Sequence, residues 1–251
     1  MAKSKFVLFF VTLVVSVTTS LTISAQTEPV NRIIEKLQQG LPVIGTFTRA
    51  PSSDMDFAVI DEQYGEFDIE GVKNVLDGMK AESGLPAAAP VVRIPLAERD
   101  NPQTVVRQLL NAGVYSLMFP DVETRFQAEA AIGAMEQTQA SVWPLHQAGK
   151  LISMIQIESP LGIKNLDSIL DVAGIGVIFL GPTDMATAIG ADGPNAPRVE
   201  EMVQEVLEVC LARNIACGYP IVASSPEDAE RQTSHRLGQG FKVLAVMTRT
   251  Q

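Results

Sequence analysis

Residues 151–185 read L-I-S-M-I-Q-I-E-S-P-L-G-I-K-N-L-D-S-I-L-D-V-A-G-I-G-V-I-F-L-G-P-T-D-M. Two apolar runs, 153–157 and 177–180, each lead into a short motif that carries an acid: Glu158 in I-Q-I-E-S and Asp184 in G-P-T-D-M. The spacing fits one strand–helix–strand crossover, the connection that parallel strands require. Neighbouring strands of a parallel sheet end at the same rim, where ligands and catalytic groups gather. Glu158 and Asp184, with Gln156 at the end of the first run, therefore make a candidate seat for Mg²⁺ or Mn²⁺, which favour hard oxygen ligands. The competing reading is that both acids cap the helices that follow.

Outward from this unit the alternation continues. Strand patterns fall at 43–48, 57–61, 91–95, 114–119, 151–158, 176–181, 215–219 and 241–246. Amphipathic helical patterns fall at 69–80, 102–112, 123–137, 163–172, 197–213 and 226–238. Eight strands alternating with helices predict an α/β fold of the TIM (β/α)8 barrel type, as one domain over 26–251. An open doubly wound sheet is the alternative, but no glycine-rich dinucleotide fingerprint follows the first strand.

Residues 1–25 read as a secretory signal peptide: Lys3 and Lys5, the apolar stretch 6–17, then a Thr/Ser-rich tail ending at Ala25. The apolar stretch is shorter than the ~20 residues of a membrane-spanning helix. The chain is thus expected to be exported, periplasmic or secreted, with no stable membrane insertion once the signal is cleaved. An uncleaved anchor is the alternative. Protein from the soluble fraction of the native host should begin near Gln26 by mass spectrometry; Met1 or Ala2 at its start would contradict export. The formal charge of −10 becomes −12 when Lys3 and Lys5 leave, which argues against a nucleic-acid partner. Cys210 in a helical pattern and Cys217 in the next strand read as free buried thiols, although an export route permits a disulfide.

The stretches V-V-R-I-P-L at 91–96, I-Q-I-E-S at 155–159 and G-P-T-D-M-A-T-A-I-G at 181–190 resemble, in this order, the HpcH/HpaI aldolase family. The resemblance runs from about Gly45 to Val246. It implies a TIM barrel and a metal-dependent class II aldolase that cleaves a carbon–carbon bond in a small 2-oxo acid. Carried over, it makes Glu158 and Asp184 metal ligands, Gln156 a substrate contact, and Arg93 the arginine that steadies substrate oxygens. Gly181 and Pro182, which open the second motif, are further substrate-binding candidates. Arg93 could instead serve in a structural ion pair.

Departures from the family pattern are as informative. Its D-x-E-H reads D-E-Q-Y here, so Asp61 stays while Gln63 and Tyr64 replace the glutamate and the general-base histidine. Asn111 stands where the family has the aspartate partner of that histidine. Asp61 and Tyr64 remain catalytic candidates, although a free phenol is a poor base at neutral pH unless a cation lowers its pKa. The P-P-x-G-x-R-G segment is missing between strands four and five, and the chain stops five residues after Val246, where the family continues into a helix used in oligomer packing; a homo-oligomer stays open. His146 and His235 read as surface or partly buried residues, with His146 a distant replacement for the base. Trp143 and Phe119 read as packing residues, Trp143 also as a residue that could close the rim, and 98–101 as a solvated loop. Two functions follow as expectations: a metal-dependent lyase, or an exported protein that binds metal and a 2-oxo acid without turnover.

Overall fold

The structure is a computed structural model that describes residues 31–50, 54–80, 86, 88–137 and 140–248. The expected signal peptide lies outside these residues. Along the chain run β1 (Val43–Phe47), β2 (Phe57–Asp61), β3 (Ala89–Arg93), β4 (Ser116–Phe119), β5 (Val142–Trp143), β6 (Leu151–Ile157), β7 (Val177–Leu180), β8 (Ala216–Ala223) and β9 (Val243–Thr248). All pairings between them are parallel. β1 pairs with both β2 and β9, and β4 pairs directly with β6, so eight strands close a barrel. β5 is a two-residue addition beside the start of β6. All eight expected strands are present, and the closed barrel displaces the open-sheet alternative.

Helices cover the outside: α1 (Arg32–Gln38), α2 (Ile69–Gly78), α3 (Gln103–Asn111), α4 (Arg125–Glu136), α5 (Pro160–Lys164), α6 (Leu166–Leu170), α7 (Pro182–Ile189), α8 (Pro197–Ala212) and α9 (Pro226–Gln239). The single helix expected over 163–172 is two short ones. The break is at Asn165, whose side-chain amide donates to Glu123 O at 2.8 Å. Among the described residues no helix is long and apolar enough to cross a membrane.

The barrel interior is a packed core. Alternate residues of each strand face inward, so Val43, Phe57, Val59, Met154, Val177 and Phe179 form one buried cluster. The intervening residues, such as Ile60, Ile155 and Ile178, pack outward under the helices. Gly45 is required by this interior, because a Cβ there would run into the ring and carbonyl of Phe57. The N-terminal end of the barrel is closed by α1, which adds Ile33 and Ile34 to the inner cluster. Its N-cap Asn31 reaches across to Ser116 Oγ at 2.9 Å. The sealed floor leaves the C-terminal rim as the open end.

Candidate active site

The inward parity of the core strands continues into polar residues at the rim. Phe57 and Val59 of β2 lead to Asp61, Val91 of β3 to Arg93, and Ile152 and Met154 of β6 to Gln156 and then Glu158. Val43 and Gly45 of β1 lead to Phe47 in the same way. These side chains, with Gly181, Pro182 and Asp184 at the start of α7, line one cavity of about 370 Å³. All eight residues expected in the site except Tyr64 line this cavity, and Tyr64 lies at its mouth.

Arg93 is held from three sides. Its Nε and Nη2 donate to Asp61 Oδ1 and Oδ2 at 2.9 and 2.5 Å. Its Nη1 stands 3.4 Å from Gln156 Oε1. The guanidinium lies over the Phe47 ring, 4.9 Å from its centroid, a favourable cation–π arrangement. Burial works to raise the Asp61 pKa, but the Arg93 guanidinium, with the Gln63 N–H and Arg49, outweighs it and holds the carboxyl below its ordinary range. The fork is therefore pre-set in orientation, with the corner at Nη1 turned toward Gln156.

Glu158 is 2% exposed. Its Oε1 accepts the backbone N–H of Asp121 at 2.8 Å. Its Oε2 is buried and makes no hydrogen bond of good geometry. Asp184 is nonetheless close enough to act on Glu158 both as a hydrogen-bonding neighbour and by charge. Burial first, and then Asp184, push the Glu158 pKa up to about 8. Gly181 makes the room for this carboxylate, since a Cβ there would collide with Glu158 Oε2. Two acids are thus pressed together with an unpartnered oxygen between them. Among the described residues no group of three or more His, Cys, Asp or Glu side chains is assembled for a metal, and the two acids stand as a pair.

Asp121 and Arg99 are residues the sequence reading did not place here. Asp121 has φ +48°, a left-handed conformation that Asp tolerates better than most residues. Arg99 Nη1 clamps the turn by donating to Asp121 O at 2.9 Å and Oδ2 at 2.6 Å. Arg99 therefore fixes the N–H that holds Glu158, which corrects the expectation of a solvated loop at Arg99, while Asp100 and Asn101 are exposed as expected.

Tyr64 is 70% exposed, and its hydroxyl accepts from Gln63 Nε2 at 3.1 Å. Desolvation, then Asp184 and Glu158, raise its pKa above the ordinary phenol value. The expected route to a tyrosine base, a lowered pKa, is thus absent from the protein alone: desolvation and the charges of Asp184, Glu158 and Asp61 raise it, and Arg93 offsets them only in part. Asn111 is the last residue of α3, at the N-terminal end of the barrel. It cannot partner Tyr64 within one chain. His146 follows β5 at that same end, with Nε2 3.4 Å from Glu136 Oε2, so it cannot reach the rim as a substitute base. Trp143 also sits there, against the lower core, and closes nothing at the rim. Phe119 is a packing residue, and Cys210 and Cys217 are buried free thiols, as expected.

A family model described as HpcH/HpaI aldolase/citrate lyase matches residues 48–247. A 5-keto-4-deoxy-D-glucarate aldolase of Salmonella paratyphi C is 29% identical over 194 residues, 70% of this chain and 72% of that protein. A hydroxypyruvate/pyruvate aldolase of Agrobacterium fabrum is 28% identical over 241 residues, 85% of this chain and 86% of that protein. The barrel is similar to the crystal structure of an HpcH/HpaI aldolase/citrate lyase family protein from Burkholderia cenocepacia, with TM-score 0.69, 23% identity, and coverage of 87% of this chain and 92% of that one.

Proposed function

Because this chain belongs to the HpcH/HpaI aldolase/citrate lyase family, we propose that it is a divalent-cation-dependent carbon–carbon lyase for a small 2-oxo acid. The observation that carries this reading is the Glu158–Asp184 pair. A buried carboxylate with an unpartnered Oε2 beside a second acid is costly without a cation. With one it becomes a fitted ligand set, and all-oxygen donors with Gln156 nearby suit Mg²⁺ or Mn²⁺. Such a cation supplies a Lewis acid for the 2-oxo group and for the enolate charge that appears on cleavage.

The chain's own groups supply the rest. The first turn of α7, at Thr183 and Asp184, lines the cavity, and a helix start with unpaired backbone amides suits the substrate carboxylate. Arg93, oriented by Asp61 and Phe47, steadies the oxygen on the carbon that leaves as an aldehyde or ketone. In cleavage a solvent water at the open mouth takes the proton of that hydroxyl as the adjacent carbon–carbon bond breaks. The electron pair of that bond moves to the 2-oxo fragment, and the same water returns a proton to it at the same carbon. Tyr64, held protonated, serves as a hydrogen-bond donor at the mouth rather than as the base. The names of the Salmonella and Agrobacterium relatives, which act on oxo acids, support this substrate class. The alternative of a binding protein without turnover draws on the loss of Tyr64, Asn111 and His146 as candidates for the base and its partner at the rim; the aldolase relatives favour the lyase.

The test is release of a 2-oxo acid from 4-hydroxy-2-oxo acids, with Mn²⁺ and after chelation. Cation-dependent release is expected; none from any such substrate would contradict the proposal. In the same assay Tyr64→Phe should lower kcat about tenfold and leave ligand affinity nearly unchanged. Full activity in that variant would make Tyr64 a spectator.

A further inference from the structure

The hold on Glu158 comes from outside the cavity. Its Oε1 is committed to the backbone N–H of Asp121 at 2.8 Å. That leaves Oε2, which is buried and makes no hydrogen bond of good geometry, as the one oxygen free to face a cation. Asp121, and Arg99 which clamps it, are both absent from the cavity lining. They touch no substrate; they decide how many oxygens Glu158 can offer.

The clamp is itself held in place. Arg99 follows the 3-10 turn Leu96–Glu98. One of its nitrogens, Nη1, bridges Asp121 O at 2.9 Å and Asp121 Oδ2 at 2.6 Å. Backbone and side chain of this left-handed residue are thus fixed together, and its N–H keeps one direction. Arg99 Nε donates to Asp100 Oδ1 at 3.3 Å, and the same oxygen accepts from Gln127 Nε2 at 2.7 Å. Gln127 is buried and belongs to the capping box that starts α4. A chain of hydrogen bonds therefore runs from α4 through Asp100, Arg99 and Asp121 to Glu158.

We propose that Arg99 is a positioning residue that keeps Glu158 a one-oxygen ligand and so sets a preference of the seat for Mg²⁺ over Ca²⁺. This rests on the reading of Glu158 and Asp184 as a cation seat. Mg²⁺ demands near-ideal octahedral geometry, and a carboxylate pinned through one oxygen presents the other in a fixed direction. Ca²⁺ takes about six to eight oxygens in flexible geometry and readily uses both oxygens of one carboxylate. Glu158 cannot give both while Oε1 holds the Asp121 N–H. Hydrogen-bond partners of a metal ligand orient it and tune the metal it holds. A change of charge at Arg99 acts on both divalent ions alike, so the ratio of their affinities reports on the clamp and not on charge.

The experiment titrates Mg²⁺ and Ca²⁺ as competitors against Mn²⁺ bound to the full chain, with free Mn²⁺ read by electron paramagnetic resonance, and requires no turnover. The wild-type protein should bind Mg²⁺ more tightly than Ca²⁺. Arg99→Lys keeps the charge but ends one bond short of the Nη1 position. Asp121→Gly keeps the N–H and accepts φ +48° but loses the Oδ2 arm of the clamp. In each variant the Mg²⁺:Ca²⁺ affinity ratio should fall about tenfold, with circular dichroism unchanged; if one variant fails to fold, the other carries the test. Wild-type protein that binds Ca²⁺ as tightly as Mg²⁺ or tighter overturns the inference and leaves the seat intact. So does a folded variant whose ratio stays within about threefold of wild type. Wild-type protein that leaves all Mn²⁺ free overturns the seat, and the inference with it.

Discussion

Glu158→Gln is expected to lower cation-dependent turnover by about 10³-fold, because it removes one of two carboxylates from the seat and so weakens the hold on the cation whose positive charge would offset that of the developing enolate. The same change should make the protein more stable in a metal-free buffer at high pH. The folded-state pKa of Glu158 is about 8, raised from its ordinary value of 4.5 by burial and by Asp184. Between those values the folded state keeps a proton that the unfolded chain releases. The unfolded state is thus favoured progressively as pH rises through that window, and stability falls. A neutral amide at this position has no proton to lose. Urea midpoints measured with chelator at pH 5 and pH 8.5 should therefore drop with pH in the wild-type protein and drop less in Glu158→Gln. Mn²⁺ should restore wild-type stability at the higher pH and leave the variant unaffected. A variant that keeps wild-type turnover would remove Glu158 from the site.

The second large effect is expected from Arg93→Lys. Lysine keeps the charge but loses the planar fork, so it cannot span Asp61 Oδ1 and Oδ2 while presenting a further N–H toward Gln156. It also loses the flat contact with Phe47. kcat/KM should fall about 10²-fold, with circular dichroism unchanged, because the inner core below Arg93 is untouched. The alternative reading of Arg93 as a structural ion pair leads to the opposite pattern: turnover near wild type in the folded fraction, with a lowered unfolding midpoint. Measuring both in one variant separates the two roles.

The barrel was legible because buried parallel strands are written as short apolar runs, and β6 and β7 carry them without interruption. The strand-end acids, Arg93 and Gln156 were legible for a related reason: they occupy the positions where inward parity leaves the core and meets solvent. Phe47 obeys the same parity at the end of β1 and could have been read from it. Asp121 could not, since it acts through a backbone N–H that any residue possesses. Its only local trace is tolerance of a positive φ. Arg99 was missed because its partners Asp121 and Glu123 are distant in sequence, so a run of charges looks solvated until the fold brings those acids to it. Residues 142–147 carry no helical or strand periodicity, which is why Trp143 and His146 could be imagined at the rim when β5 places them at the floor. The upward shift of the Tyr64 pKa depends on desolvation first and then on Asp184 and Glu158, a property of three-dimensional placement alone.

The seat for a divalent cation is tested most directly by titrating Mn²⁺ into the purified full chain and following free Mn²⁺ by electron paramagnetic resonance, alongside Glu158→Gln and Asp184→Asn. One Mn²⁺ per chain is expected for the wild-type protein, with stoichiometric binding lost in both variants. Wild-type protein that leaves all Mn²⁺ free, or variants that bind it as the wild type does, would contradict the seat formed by Glu158 and Asp184.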